Sequence, residues 1–130
     1  MTEAIHQELL ALNEKLLASI AGGDWATYCE LCDASLTAFE PESRGQLVAG
    51  LEFHKFFFDL GASGLPYHTT LASPHVRLLG ENAAVVSYTR LVQRADAAGA
   101  VSISAANETR VWQRQQGRWR HVHFHRSPLS

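Results

Sequence analysis

Glu108-Thr109-Arg110-Val111-Trp112 and Gly117-Arg118-Trp119-Arg120-His121-Val122-His123-Phe124-His125-Arg126-Ser127 are separated only by the run from Gln113 to Gln116, and the pair reads as a β-hairpin. Side chains in a strand alternate faces with period 2. An unbroken final strand therefore puts Val122, Phe124 and Arg126 on one face and Trp119, His121, His123 and His125 on the other. In the first strand Arg110 shares its face with Trp112 and Glu108. Each strand thus sets an arginine among large apolar side chains. A guanidinium stays charged at any ordinary pH and is rarely buried without a partner. Either a carboxylate of the chain meets these arginines or an anion from outside does.

Working outward, two more strands precede the hairpin, so that the β elements run over Tyr67–Leu79, Ala83–Ala95, Ser102–Gln113 and Arg118–Arg126. The short turns Gly80-Glu81-Asn82, Asp96 to Gly99 and Gln115-Gln116-Gly117 join them into an antiparallel meander. Upstream the period changes. Ile5, Leu9, Leu12, Leu16, Leu17 and Ile20 recur at helical spacing over residues 3–20, and Gly22-Gly23 ends that helix. Asp24 reads as the N-cap of a short second helix carrying Trp25, Tyr28, Cys29 and Leu31, closed by Asp33-Ala34-Ser35. Leu36–Glu40 reads as a strand stopped by Pro41, and Glu42 to Gly50 as turn-rich chain. Phe53, Phe56, Phe57 and Leu60 make Leu51–Leu60 a third helix. Helices followed by a meander predict an α+β domain in which a long N-terminal helix lies across one curved antiparallel sheet and a cavity opens between them.

With 130 residues, the chain predicts a single domain spanning residues 1–130. A formal charge of −2 gives no broad electrostatic reason to bind nucleic acid or an acidic membrane. The nine arginines against two lysines favour bidentate anion pairing. Cys29 and Cys32 are a lone C-x-x-C in helical context, which reads as buried small side chains rather than a redox or zinc motif. No signal-peptide pattern opens the chain and no apolar run approaches the ~20 residues of a membrane helix, so the cytoplasm is the expected compartment.

Several stretches together resemble the association (hub) domain of calcium/calmodulin-dependent protein kinase II, within the NTF2-like (cystatin-like, SnoaL-like) superfamily. They are Gly23-Asp24-Trp25, Leu36-Thr37-Ala38-Phe39-Glu40-Pro41-Glu42, Phe53-His54-Lys55-Phe56-Phe57-Phe58, His68-Thr69-Thr70, Ser73-Pro74-His75-Val76 and Tyr88-Thr89-Arg90-Leu91, together with both strands of the closing hairpin. The resemblance implies an NTF2-like cone that self-associates, as a homodimer through the outer sheet face or as a larger ring of dimers. It also implies a deep pocket lined by Arg90, Arg110 and Arg126 together with His54. The 130 residues contain no kinase domain or calmodulin-binding helix, and the loop from Gly61 to Leu65 is shorter than is usual in kinase hubs. Kinase activity and calmodulin binding are therefore not expected of this chain.

Strand parity adds Tyr88 to the face of Arg90. The expected ligand set is Arg90, Arg110, Arg126, His54 and Tyr88, and the expected ligand is a small carboxylate or an acidic peptide. The structural alternative is that Glu40, Glu52 or Glu108 satisfies the arginines. A different reading is a small enzyme of the ketosteroid-isomerase or cyclase type, with His54, Glu40 or Asp33 as general base. No nucleophile motif, phosphate loop or metal-ligand spacing asks for chemistry, and neither cofactor nor metal is expected. His121, His123 and His125 alternate over roughly 13 Å of strand, too far apart for one ion, and read as a polar or subunit-contact face together with Trp119. Of Phe56, Phe57 and Phe58, at least one must face away from the core.

Overall fold

The structure, a computed structural model, describes residues 2–129. Helix α1 (Thr2–Ala21) buries Leu9, Asn13, Leu16, Leu17 and Ser19 along one stripe. It ends where Gly22 N–H bonds the Ala18 carbonyl at 2.9 Å and Gly23 adopts φ 68°. Gly23 also passes so close to the loop after the third helix that a Cβ there would lie 3.2 Å from the Ala62 nitrogen. Helix α2 (Trp25–Leu31) is capped as expected, the Asp24 carboxylate accepting from the Thr27 N–H at 3.1 Å. Then follow β1 (Cys32–Phe39), a 3₁₀ turn at Pro41–Ser43, β2 (Val48–Ala49) and α3 (Glu52–Asp59). The meander comprises β3 (Tyr67–Leu78), β4 (Ala83–Ala95), β5 (Val101–Gln115) and β6 (Arg118–Leu129).

The six strands form one curved sheet in the order β2-β1-β6-β5-β4-β3. All neighbours are antiparallel except β1 and β6, which run parallel, so the sheet is mixed rather than wholly antiparallel. Hairpin logic could not foresee that pairing, because it joins strands at opposite ends of the sequence. β1 also starts at Cys32, ahead of the expected Leu36. Asp33 accepts from Ser35 N–H at 3.0 Å, a local bond that makes a strand start look like a helix end.

A β-bulge corrects the strand parity in the closing hairpin. Val111 opposes His123, but Trp112 opposes His121, which leaves Val122 without a partner on β5. The extra residue flips every side chain before it. Trp119 and His121 therefore sit on the inner face with Phe124 and Arg126, at 6% and 0% exposure, and not on the outer face with His123 and His125. The register of β1 against β6 shifts at the same place, Cys32 opposing His121 and Thr37 opposing His123.

The core lies between the helices and the inner sheet face: Leu9 and Leu16 from α1, Tyr28 from α2, Leu36, Val86, Trp112 and Phe124 from the sheet. The consecutive phenylalanines Phe56, Phe57 and Phe58 of α3 divide. Phe58 packs on Trp25 and Tyr28 with centroids 5.1 and 4.8 Å apart, while Phe57 is partly exposed and Phe56 largely so. Cys32 is fully buried and Cys29 half-buried, both as free thiols. No described helix is long and apolar enough to cross a membrane.

Among the described residues, Asn13 is the one polar side chain by which α1 grips the sheet through hydrogen bonds: it accepts from Trp112 Nε1 at 3.2 Å and donates to the Tyr88 hydroxyl at 2.9 Å. Asn13→Leu keeps the volume but leaves a buried indole N–H without its acceptor, so urea unfolding is expected to show a loss of about 1–3 kcal/mol. Unchanged stability would mean that the bridge does not hold the helix.

Candidate functional site

The site begins with a row of paired residues on the inner face. Tyr88 opposes Glu108 and Val86 opposes Arg110 across β4 and β5. Glu108 and Arg110 are 2% and 1% exposed, so neither charge reaches water. The Tyr88 hydroxyl donates to Glu108 Oε1 at 2.5 Å and accepts from Asn13 Nδ2 at 2.9 Å and Arg110 Nε at 3.0 Å. Arg110 Nη2 donates to the same carboxylate oxygen at 3.1 Å, and the guanidinium lies 4.5 Å over the Phe124 ring. Burial by itself would raise the Glu108 carboxyl, but Arg110 and then Arg90 outweigh it and hold the group below the usual carboxylate range.

The remaining arm of Arg110 fixes a histidine. Arg110 Nη1 lies 3.3 Å from His121 Nε2. A guanidinium can only donate, so that ring nitrogen carries the lone pair. The proton is then on Nδ1, which faces Cys32 Sγ at 3.3 Å. Burial first, and then the Arg110 charge, drive His121 well below the ordinary histidine range, in keeping with a neutral ring. Burial also pushes the Cys32 thiol up to about 12, which makes it a packed thiol and a poor nucleophile.

Beside this network opens a cavity of about 600 Å³ between α1, α2, α3 and the sheet. Arg90, Arg110, Arg126 and His54 all line it, with Phe57 and Phe124 among the apolar walls. Tyr88 is not among the lining side chains; its hydroxyl is engaged behind Arg110. Arg90 presents Nε to Glu108 Oε2 at 3.2 Å, and its side chain keeps 17% exposure. Arg126 pairs with Glu42 on the 3₁₀ turn. Glu108 is thus shared between two arginines and Glu42 serves the third, which leaves this trio one positive charge in excess. Glu52, weighed from the sequence as a partner, does not line the cavity.

His54 Nε2 lies 2.6 Å from Glu40 Oε2, both residues being buried. Nδ1 of the same ring is sealed from solvent with no hydrogen-bond partner. Neither ring nitrogen is therefore open to a molecule in the cavity. Asp33 is not a cavity residue; its carboxylate bonds Ser35. Of the three bases suggested by the sequence, only Glu40 lines the cavity with a carboxylate, and that carboxylate is occupied by His54.

The histidine trio separates. His121 belongs to the buried network, His123 Nδ1 bonds Thr37 Oγ1 at 2.7 Å, and His125 is exposed with its ring 5.5 Å from that of Phe39. Among the described residues no three metal-ligating side chains converge. Among the cavity residues that the sequence reading missed are Arg94 and Glu42. Arg94 was within reach, since it shares the parity of Arg90 on β4. Glu42 sits in an irregular turn and carried no periodic signal.

Residues 5–130 match the family model described as calcium/calmodulin dependent protein kinase II association domain. The chain belongs to that association-domain family. The delta subunit of the type II kinase from Oryctolagus cuniculus is 46% identical over 127 residues, which cover 96% of this chain and 24% of that protein. The chain thus spans about a quarter of the length of this relative. The association domain of the C. elegans kinase superposes with a TM-score of 0.91 at 44% identity, covering 96% of each chain. An NTF2-like superfamily protein from Salmonella enterica shares the fold, with a TM-score of 0.78 at 22% identity over 100% of this chain and 94% of that one. The expected NTF2-like α+β architecture and the association-domain resemblance both hold.

His121 makes this association domain acid-sensitive in a defined direction. The unfolded chain takes up a proton on this residue near pH 6.5 and the folded chain does not, so stability falls as pH drops below about 6.5, by up to ~1.4 kcal/mol per pH unit for one proton. His123, also held low by burial and then by His125, adds to the same slope. Denaturant melts between pH 6.5 and 5 should show His121→Gln with a shallower pH dependence than wild type. Equal slopes would mean that the buried histidine does not stay neutral.

Proposed function

We propose that this chain is a self-associating, non-enzymatic hub-type domain that holds a small carboxylate in its cavity through Arg90 and Arg126, over a floor formed by Arg110. The observation that carries this reading is the sharing of Glu108 by Arg90 and Arg110, which leaves the partly exposed Arg90 guanidinium with only part of a carboxylate as its partner. The cavity volume of about 600 Å³ lies within the range of small-molecule sites. A carboxylate meeting a guanidinium fork forms charge-assisted, often bidentate hydrogen bonds. An isomerase-type or cyclase-type reaction fits less well, because such chemistry needs a base open to substrate, and His54 is closed on both nitrogens. The kinase activity named for the rabbit relative belongs to a protein about four times as long, and we do not extend it, or calmodulin binding, to this chain.

Self-association suits the outer sheet face. Val101, Ile103 and Leu129 are 71%, 66% and 47% exposed there, an apolar area at the free ends of β5 and β6. Static light scattering is expected to return at least twice the 14.3 kDa chain mass, as a homodimer or a ring of dimers. A monomer at tens of micromolar would overturn this part of the proposal.

For the ligand, thermal melts with acetate, octanoate and phosphate are expected to show a rise in Tm with the carboxylates, reduced in Arg90→Gln and in Arg126→Gln. Arg110 is the wrong probe, since its removal would unpair Glu108 inside the core. If no carboxylate moves the wild-type Tm, the anion reading fails.

A further inference from the structure

The cavity has a second polar end that the three arginines do not account for. Tyr67 on β3, Arg94 on β4 and Ser102 on β5 occupy one cross-strand row: Tyr67 opposes Arg94, and Arg94 opposes Ser102. All three line the cavity. A phenol, a guanidinium and a hydroxyl in one row offer the donors that a carboxylate accepts. Arg94 is steadied by one bond, Nη1 to Ser104 Oγ at 3.0 Å, and forms no ion pair among the described residues. Asp96, the nearest acid in sequence that also lines the cavity, turns Oδ1 onto the N–H groups of Ala98 and Ala100, each at 2.9 Å.

Between this row and Arg90 lies a row in which Thr69 opposes Val92, both lining the cavity. Arg90, Val92 and Arg94 share the inner face of β4, so the two arginines start roughly 13 Å apart with a buried valine midway. Opposite that stretch, Ile20, Phe57 and Leu65 line the cavity while remaining 38%, 42% and 40% exposed. Large apolar side chains turned toward an open cavity gain from being covered by hydrocarbon. Charge at both ends and hydrocarbon between them define one chemical class.

We infer that the cavity is a two-ended site for an elongated α,ω-dicarboxylate, one carboxylate on Arg90 and Arg126, the other on Arg94 with Tyr67 and Ser102, and the methylene chain against Val92, Phe57 and Leu65. This deepens the carboxylate reading above and rests on it. A short dicarboxylate cannot reach both rows and behaves as a monocarboxylate. A long one gains a second set of charge-assisted hydrogen bonds, which is about tenfold or more in affinity.

The test is calorimetric titration of the full chain with α,ω-dicarboxylates from succinate through suberate to dodecanedioate, each beside the monocarboxylate of equal carbon number. The expected result is no advantage for succinate over butyrate and at least about a tenfold advantage for the longer diacids, an advantage that Arg94→Gln removes by bringing each long diacid to the affinity of its monoacid. Tyr67→Phe should remove part of it. If long diacids and monoacids bind equally, or if Arg94→Gln leaves the advantage in place, the second end does not exist and the simple carboxylate reading stands alone. If neither series binds, both readings fall together.

Discussion

Glu108 carries a full negative charge at 2% exposure, and the inner face of the sheet is built to keep it there. A buried carboxylate is tolerable only with its hydrogen bonds made and an opposite charge beside it. Tyr88 and Arg110 supply those bonds from β4 and β5, Arg90 adds a second positive charge, and Asn13 of α1 reaches the same phenol. Helix, strands β4 and β5 and the cavity wall therefore meet at one carboxylate. Removing either member of a buried ion pair typically costs about 3–5 kcal/mol, because the survivor is left charged in a medium that cannot solvate it. The pair is better understood as fixing which way these strands and this helix register than as a net gain over an apolar core.

Much of this was legible in the sequence because it is local or periodic. The meander follows from alternating runs and glycine turns, and the helices from 3.6-residue spacing and the Asp24 cap. Strand parity set Arg90, Arg110 and Arg126 each among apolar neighbours, and only the association-domain resemblance implied a common pocket; all three line the cavity. Parity failed where the chain breaks its own period. One unpaired residue, Val122, turns Trp119 and His121 inward, and no composition or propensity marks a valine as a bulge. The parallel pairing of β1 with β6 was equally hidden, since it depends on where the whole meander comes to rest.

The bulge also explains how the buried charges are partitioned. By turning His121 inward it brings a neutral ring against Arg110, with the lone pair of Nε2 facing the guanidinium and Nδ1–H facing Cys32. Arg110 is thereby surrounded on the strand side by Glu108, Tyr88, His121 and the Phe124 ring, and it is held in its charged state above even the usual arginine range; burial opposes this, but Tyr88 and Glu108 outweigh it. An arginine so enclosed cannot swing to a ligand. Arg90, whose side chain remains partly exposed, can.

This division separates holding an anion from reacting with one. The two candidate bases at the cavity, His54 and Glu40, are bonded to each other at 2.6 Å, and the other nitrogen of that ring is sealed. The donors with unused capacity are guanidinium N–H bonds of Arg90 and Arg94, and the hydroxyls of Tyr67 and Ser102. On the proposed reading these open donors take the acceptor oxygens of a ligand. Because Glu108 divides its charge between two arginines, an incoming carboxylate that settles on Arg90 completes a pairing that the fold leaves half made. The proposed affinity for an anion thus rests on the same shared carboxylate that holds the sheet to its helix.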